Sequence, residues 1–229
     1  MKSFNALSAV LTYPGAELQA AIPVIREVLH DEGLFGPHRL EGLEQLLASL
    51  EADDLYDLQE RYVHLFDRSR TLSLNLFEHI HGESRDRGSA MVDLLETYRA
   101  GGFDLVGPEL PDHVPVLLEY LSTLPLPDAR ALLADAGPIL VVLAERLTRR
   151  KTPYASVFEA LVALAETIEE TDETRALLAE PDDNPDDLEA LDAVWAEAQV
   201  RFGPDPNAGC PASRDLLARI AAEPAPNAQ

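Results

Sequence analysis

Apolar residues return at intervals of three and four along almost the whole chain, and no sustained every-other-residue alternation replaces them. Phe4, Leu7 and Leu11 share a face, as do Leu55, Leu58, Tyr62 and Leu65, then Met91, Leu94, Leu95 and Tyr98. The pattern continues through Val114, Leu117, Leu118 and Leu121, through Leu140, Leu143 and Leu147, and through Val157, Leu161, Leu164 and Ile168. Leu188, Leu191, Trp195, Ala198 and Phe202 end the series. This is the period of helices with one buried face. The interruptions fall between the periodic segments: Pro14-Gly15, Gly36-Pro37, Gly101-Gly102, Gly107-Pro108, residues 124–127, Gly137-Pro138 and residues 181–185. The chain is therefore expected to be all-α, a single-domain multi-helix bundle of about eight or more helices spanning residues 1–202. Residues 203–229, rich in Pro, Ala and Asn, read as a mobile tail. A short amphipathic piece at 214–222 is expected to fold back onto the body.

At 229 residues the chain can bury one sizeable core. Its longest apolar run, 139–144, is far short of a membrane span. The opening MKSFNALSAVLTY has an apolar stretch broken by Asn5, Ser8 and Thr12, and reads as an amphipathic first helix rather than a signal peptide. Cys210, the single cysteine, excludes an internal disulfide and fits a reducing compartment. A net charge of −23 argues against nucleic acid or an anionic membrane as partner and suits a basic one. Many of the acids fall in 166–173 and 180–192, which read as helix ends and a solvated loop. Arg146, Arg149, Arg150 and Lys151 read as cations placed at a helix C-terminus, and Asp112 as the N-cap of the helix that follows it.

No catalytic constellation assembles. Glu27 and His30 form a single Glu-x-x-His, where a di-iron bundle needs two copies and two further Glu. His30-Asp31 lacks the supporting set of a helical metal phosphohydrolase. His79 and His81 are two apart and so point about 200° apart on a helix, which is poor chelation geometry. A Gly-rich phosphate loop is absent, and neither a catalytic residue, a metal nor a cofactor is assigned. Two segments instead carry more Glu, His and Arg than an ordinary helix surface needs: FDRSRTLSLNLFEHIHGESRDRGSAMVDLL at 66–95 and ELPDHVPVLLEYL at 109–121. On a helix through 73–84, Leu72, Leu76 and Ile80 share the core side, with Phe77 beside them. Glu78 and His81 take another face, with Arg85 in line if the helix continues. In the second segment Val116, Glu119 and Tyr120 are expected to look away from the core stripe. The bland alternative is that Glu78, Arg85, Arg87 and Asp112 form salt bridges and caps between packed helices.

These two segments resemble the NarJ family, the dedicated assembly chaperones of membrane-bound respiratory nitrate reductase, most closely over 62–124. The resemblance implies a cytoplasmic, all-helical protein of the TorD-like maturation chaperone type, without catalytic activity. It implies a partner, the catalytic (alpha) subunit of the reductase, gripped by its N-terminal peptide in an elongated groove. The client would be kept competent for molybdenum cofactor and iron–sulfur insertion and held back from premature membrane docking. Molybdenum cofactor biosynthesis proteins are implied as further candidate partners. The partner-binding residues taken from the two segments are Glu78, His79, His81, Arg85, Arg87, Asp112, His113, Val116, Glu119 and Tyr120. A chaperone for a sulfoxide or N-oxide reductase is the alternative within the fold, and a helical metal-dependent hydrolase the alternative outside it. Three histidines in the segments, His79, His81 and His113, would titrate near pH 6.5 if unperturbed, making client affinity sensitive to mild acid.

Overall fold

A computed structural model describes residues 1–81, 85–165 and 172–184, with residues 81, 85, 86, 172 and 173 described by backbone only. All of them fall in the compact unit Met1–Asp186. The expected helix ending at Phe202, the tail from 203 and its amphipathic piece lie outside the described residues. Within them the chain forms eleven α-helices: α1 Lys2–Val10, α2 Ala16–Asp31, α3 Pro37–Ala52, α4 Leu55–Tyr62, α5 Leu76–His81, α6 Arg85–Ala100, α7 Val114–Thr123, α8 Leu126–Asp135, α9 Gly137–Arg149, α10 Ala155–Leu164 and α11 Asp172–Ala179. The one β-type pairing among them is an isolated antiparallel bridge between Asn75 and His113. The fold is all-α, as the periodicity predicts.

The breaks act through backbone chemistry. Gly15 and Gly36 are extended N-caps, and Pro37, Pro115, Pro127 and Pro138 sit in the first turn, where a missing N–H leaves no helical bond unmade. Asp54 caps α4 by accepting from the Tyr56 N–H at 2.9 Å. Gln19 of α2 donates to the Leu50 and Asp53 carbonyls, both at 3.1 Å, which would otherwise end α3 unpaired.

Chain closure is long-range. α1 packs on both α2 and α7, α3 on α2 and α10, and α9 on α8, α10 and α11. Phe4, Leu7 and Leu11 are fully buried, each worth about 1.5–3 kcal/mol of transfer free energy. Ser8, 2% exposed, fits the α1–α7 contact because its hydroxyl donates to the Pro115 carbonyl at 2.9 Å. An aromatic ladder runs inward from the α1–α2 corner: Tyr13 meets Tyr62 edge-on at 5.7 Å, Tyr62 meets Phe66 at 5.0 Å, and Phe66 meets Tyr154 at 5.2 Å. The Tyr62 hydroxyl donates to the Leu11 carbonyl at 2.9 Å. Burial pushes the Tyr62 phenol well up and the Tyr154 phenol up to about 12.

Four expectations need correction. First, no single helix spans 73–84: a 3₁₀ turn ends at Leu72, α5 begins at Leu76 and its described helix ends at His81. Leu72 and Leu76 are core, but Ile80 is 54% exposed, because the short α5 is a separate rod with its own packing face. Second, Asp112 does not cap α7; His113 holds that position. The Asn75–His113 bridge lays residue 112 beside the start of α5, where its Oδ2 accepts from the Phe77 N–H at 2.9 Å. Third, Val116 and Tyr120 do not look away from the core; each is only 5% exposed. α7 is covered on two sides, by α1 and by the Tyr98–Phe103 corner, so its apolar stripe is wider than one face. Tyr98 and Phe103 pack on the Tyr120 ring at 4.7 and 5.9 Å.

The fourth correction concerns charge. Arg146 stands in the last turn of α9, as expected, but it is 1% exposed and its charge is used inside the fold rather than on the helix end alone. It donates to the carbonyls of Thr71 at 3.0 Å and Leu177 at 2.6 Å, and its Nε lies 3.4 Å from Asp182. Nor is all of 180–183 solvated: Glu180 and Pro181 are exposed, but Asp182 faces Arg146 and Asp183 is bound to Arg150 at 2.8 Å and to Ser69 at 2.6 Å. One turn of helix separates Arg146 from Arg150, so both guanidiniums reach the same neighbouring segment.

Candidate functional site

The residues expected to meet a partner cluster at the junction of α5, α6 and the start of α7, and most are engaged within the chain. Leu76 N–H donates to the Asp112 carbonyl at 3.1 Å and Val114 N–H to the Leu74 carbonyl at 2.8 Å, which pins the loop before α7 to the loop before α5. Asp112 is fully buried; desolvation raises its carboxyl pKa, and the bond from Phe77 and the charge of Arg87 offset part of that. Glu78 pairs with Arg87 across α5 and α6 at 3.2 Å. The His79 Nε2 is bonded to the Ser73 carbonyl at 2.8 Å, while burial lowers its pKa. Burial also lowers that of His113, whose Nδ1 lies 3.6 Å from Glu109. Glu119 is exposed and lines a hollow of about 550 Å³ between α1 and α7 with Asn5, Thr12 and Phe103. The side chains of His81 and Arg85 lie outside the described residues. The bridge-and-cap reading thus describes Glu78 and Arg87, which bridge α5 and α6, and Asp112, whose carboxyl accepts from the first turn of α5.

A cleft that the sequence did not single out lies at the α1–α2 corner against α4. It encloses about 450 Å³ and is lined by Tyr13, Tyr56, Gln59, Glu60, Val63, His64 and Arg68. Tyr56 is 79% exposed and Tyr13 53% exposed, an unusual display for two large aromatics on one rim. Gln59 Nε2 donates to the Pro14 carbonyl at 2.9 Å, fixing the width of the cleft. Its floor is a π-helical turn, Val63–Asp67, in which an extra residue is accommodated and the aromatic ladder behind is turned inward. Residues 51–68 carry six carboxylates against two arginines, and one of those arginines, Arg61, is held by Asp53 at 2.7 Å. The corner therefore offers aromatic faces within a negative field, chemistry that suits a cationic side chain flanked by apolar ones.

One sequence signal could have pointed here. Tyr56 follows Leu55 and lies off the stripe of Leu58, Tyr62 and Leu65, so an aromatic was placed on the solvent side of α4. The π turn and the approach of Tyr13 left no local trace. Among the described residues no group of three or more His, Cys, Asp or Glu is placed to hold a metal ion, and no helix is long and apolar enough to cross a membrane.

Comparison with known proteins bears on this arrangement. Residues 36–160 match the family described as nitrate reductase delta subunit. The chain is 42% identical over 222 residues to the nitrate reductase molybdenum cofactor assembly chaperone NarJ of Escherichia coli K12, covering 96% of this chain and 93% of that protein. It is 47% identical over 160 residues to the probable chaperone NarW of the same organism, covering 69% and 68%. With the probable chaperone NarJ of Bacillus subtilis it shares 30% over 169 residues, covering 72% and 89%. With the signature spanning α3 to α10 and the likeness to NarJ running nearly end to end, this chain belongs to the nitrate reductase delta subunit family, the NarJ family of assembly chaperones rather than enzymes.

Proposed function

We propose that this protein is a cytoplasmic chaperone for a respiratory nitrate reductase. It binds the N-terminal segment of the apo catalytic subunit, keeps that subunit competent for molybdenum cofactor and iron–sulfur insertion, and delays docking on the membrane subunit. The observation that carries the reading is the 42% identity to a nitrate reductase molybdenum cofactor assembly chaperone across 96% of the chain. That relative's name also favours nitrate reductase over a sulfoxide or N-oxide reductase as client.

The chemistry of the corner cleft supports the mode of binding. A micromolar complex requires about −8 kcal/mol, whereas exposed ion pairs give roughly 0–1 kcal/mol each. The affinity must then come from apolar and aromatic anchoring, for which Tyr13, Tyr56 and Val63 are available. The acids of 51–68 act at longer range, drawing in a basic leader and speeding encounter. Of the residues first expected at the interface, Glu119 stays outward. Glu78, His79, Arg87, Asp112 and His113 contribute by keeping α5 and α7 in register, and Val116 and Tyr120 by filling the core beneath.

The test is calorimetric titration of the full chain with the N-terminal peptide of the cognate catalytic subunit. Tyr56→Ala, at an exposed position, should leave the fold intact and weaken binding about 5- to 30-fold, the 1–2 kcal/mol of an aromatic anchor. Raising salt should slow association more than it speeds dissociation. No binding by the wild type would refute the chaperone–leader reading. Binding unchanged by Tyr13→Ala and Tyr56→Ala would refute the cleft alone.

A further inference from the structure

One strongly built polar site is used neither by the chaperone reading nor by the junction of α5 and α7. The 3₁₀ turn Arg70–Leu72 and its preceding Ser69 form a cradle with Arg146 and Arg150 of the α9 end. Ser69 is 1% exposed and Arg146 1% exposed. The cradle is filled by a carboxylate from the chain itself. Asp183 accepts from the Ser69 hydroxyl at 2.6 Å, from the Thr71 hydroxyl, from the Thr71 N–H at 3.2 Å and from Arg150 Nη2 at 2.8 Å.

Donors outnumber what this occupant can accept. Arg150 Nη1 and Arg146 Nε are both buried without a hydrogen-bond acceptor among the described residues. Asp182 stands 3.4 Å from Arg146 Nε, and its Oδ1 is likewise left unbonded. A carboxylate has two oxygens, and three of the four donors already converge on one of them, Asp183 Oδ1. A tetrahedral oxyanion has three or four oxygens spread in space, and guanidinium forks, hydroxyls and turn N–H groups are the donors that recognise it. Residues 181–183 lie past the end of α11 and Pro181 has no N–H. Among the described residues no main-chain pair joins 181–183 to the body. They hold on by side chains and by the Asp183 carbonyl, which accepts from Arg150 Nη2 at 3.0 Å, and can leave without unwinding a helix.

We propose that Ser69, Thr71 and Arg150 form a binding site for a tetrahedral oxyanion, a phosphate or a phosphate monoester, in which Asp183 is an internal and displaceable ligand and Arg146 braces the turn through the Thr71 carbonyl. Filling the site with the external anion releases residues 180–183 from the body. This site is separate from the corner cleft, so its test does not depend on client binding.

The full chain is titrated with inorganic phosphate, with glycerol phosphate and with chloride at matched ionic strength, using the wild type, Asp183→Ala and Asp183→Ala/Arg150→Ala. Asp183→Ala should bind one phosphate at least about tenfold more tightly than the wild type, because the tethered competitor, present at an effective concentration of order millimolar, is gone. Adding Arg150→Ala should abolish that binding. A preference for the ester or for the free ion identifies which source fits the cradle, and either supports the site. Equal phosphate binding with and without Arg150 means an adventitious ion only and overturns the proposal, as does no binding by folded Asp183→Ala. Limited proteolysis of the wild type gives an independent reading should Asp183→Ala fail to fold. Phosphate at tens of millimolar should speed cleavage before Asp182 and Asp183 by an Asp-directed protease relative to chloride, and an unchanged rate would overturn displacement.

Discussion

Arg146 gives the sharpest test of how the unit is held together. Its side chain is 2% exposed and spans from the Thr71 carbonyl to the Leu177 carbonyl. Replacing it by Ala leaves the half-buried Thr71 and Leu177 carbonyls without their donor and removes a cation from beside Asp182. Hydrogen bonds from a charged donor contribute about 1.5–3 kcal/mol each. The Glu180 contact, at 3.8 Å with Glu180 61% exposed, adds close to nothing after solvent screening. Loss of a buried charge partner and its hydrogen bonds places Arg146→Ala at about 3–5 kcal/mol. Arg146→Met keeps the bulk of the stem and should cost less, about 2–4 kcal/mol. Glu180→Ala should stay within about 0.5 kcal/mol. The assay is equilibrium urea unfolding followed by far-UV circular dichroism. In thermal scans a chain of this size should lose about 2–4 °C per kcal/mol, so Arg146→Ala should fall by about 6–20 °C. A loss under about 1 kcal/mol at unchanged urea dependence would refute the view that Arg146 is a buried cross-brace.

Gly101 and Gly88 should respond oppositely to alanine. A Cβ on Gly101 would lie 2.5 Å from the Tyr120 hydroxyl and 2.7 Å from its ring, so Gly101→Ala should destabilise by about 1–3 kcal/mol. Gly88, inside α6 with nothing within 4 Å of its Cβ position, should gain about 0.5–1 kcal/mol in the same urea assay. Acidification should weaken the fold through His79 and His113: burial lowers both pKa values, so the unfolded chain takes up protons first. Their contribution is complete above about pH 6.5 and is lost as pH falls below it, and a His79→Gln/His113→Gln variant should flatten urea midpoints measured at pH 7.5, 6.0 and 5.0. Asp112 works the other way at lower pH, since its raised pKa favours the folded state as it protonates.

The helical class, the placement of most core stripes and the family were all legible before any coordinates. Periodicity of three and four is a property of neighbours along the chain, and Phe4, Leu7, Leu58, Tyr62, Leu117 and Leu121 are buried where it puts them. The glycine and proline breaks are equally local, because each acts on its own φ or its own N–H. The charged groups were a different matter. Arg146 and Arg150 look the same in sequence whether they face water at a helix end or reach into a segment that returns over thirty residues later. Asp112 has the spacing of a cap for its own helix, yet a two-residue backbone pairing gives it another helix to cap. Val116 and Tyr120 sit off the stripe of α7, and only the simultaneous packing of α1 and the Tyr98 corner makes that side core. The cleft of Tyr13 and Tyr56 depends on two segments meeting at a corner and on a π turn beneath them. Local periodicity fixed which residues are helical and roughly which side is greasy. Which charge meets which, and where the surface is left open, depended on contacts between residues distant in sequence, whose Coulomb and desolvation energies exist only once the helices are packed.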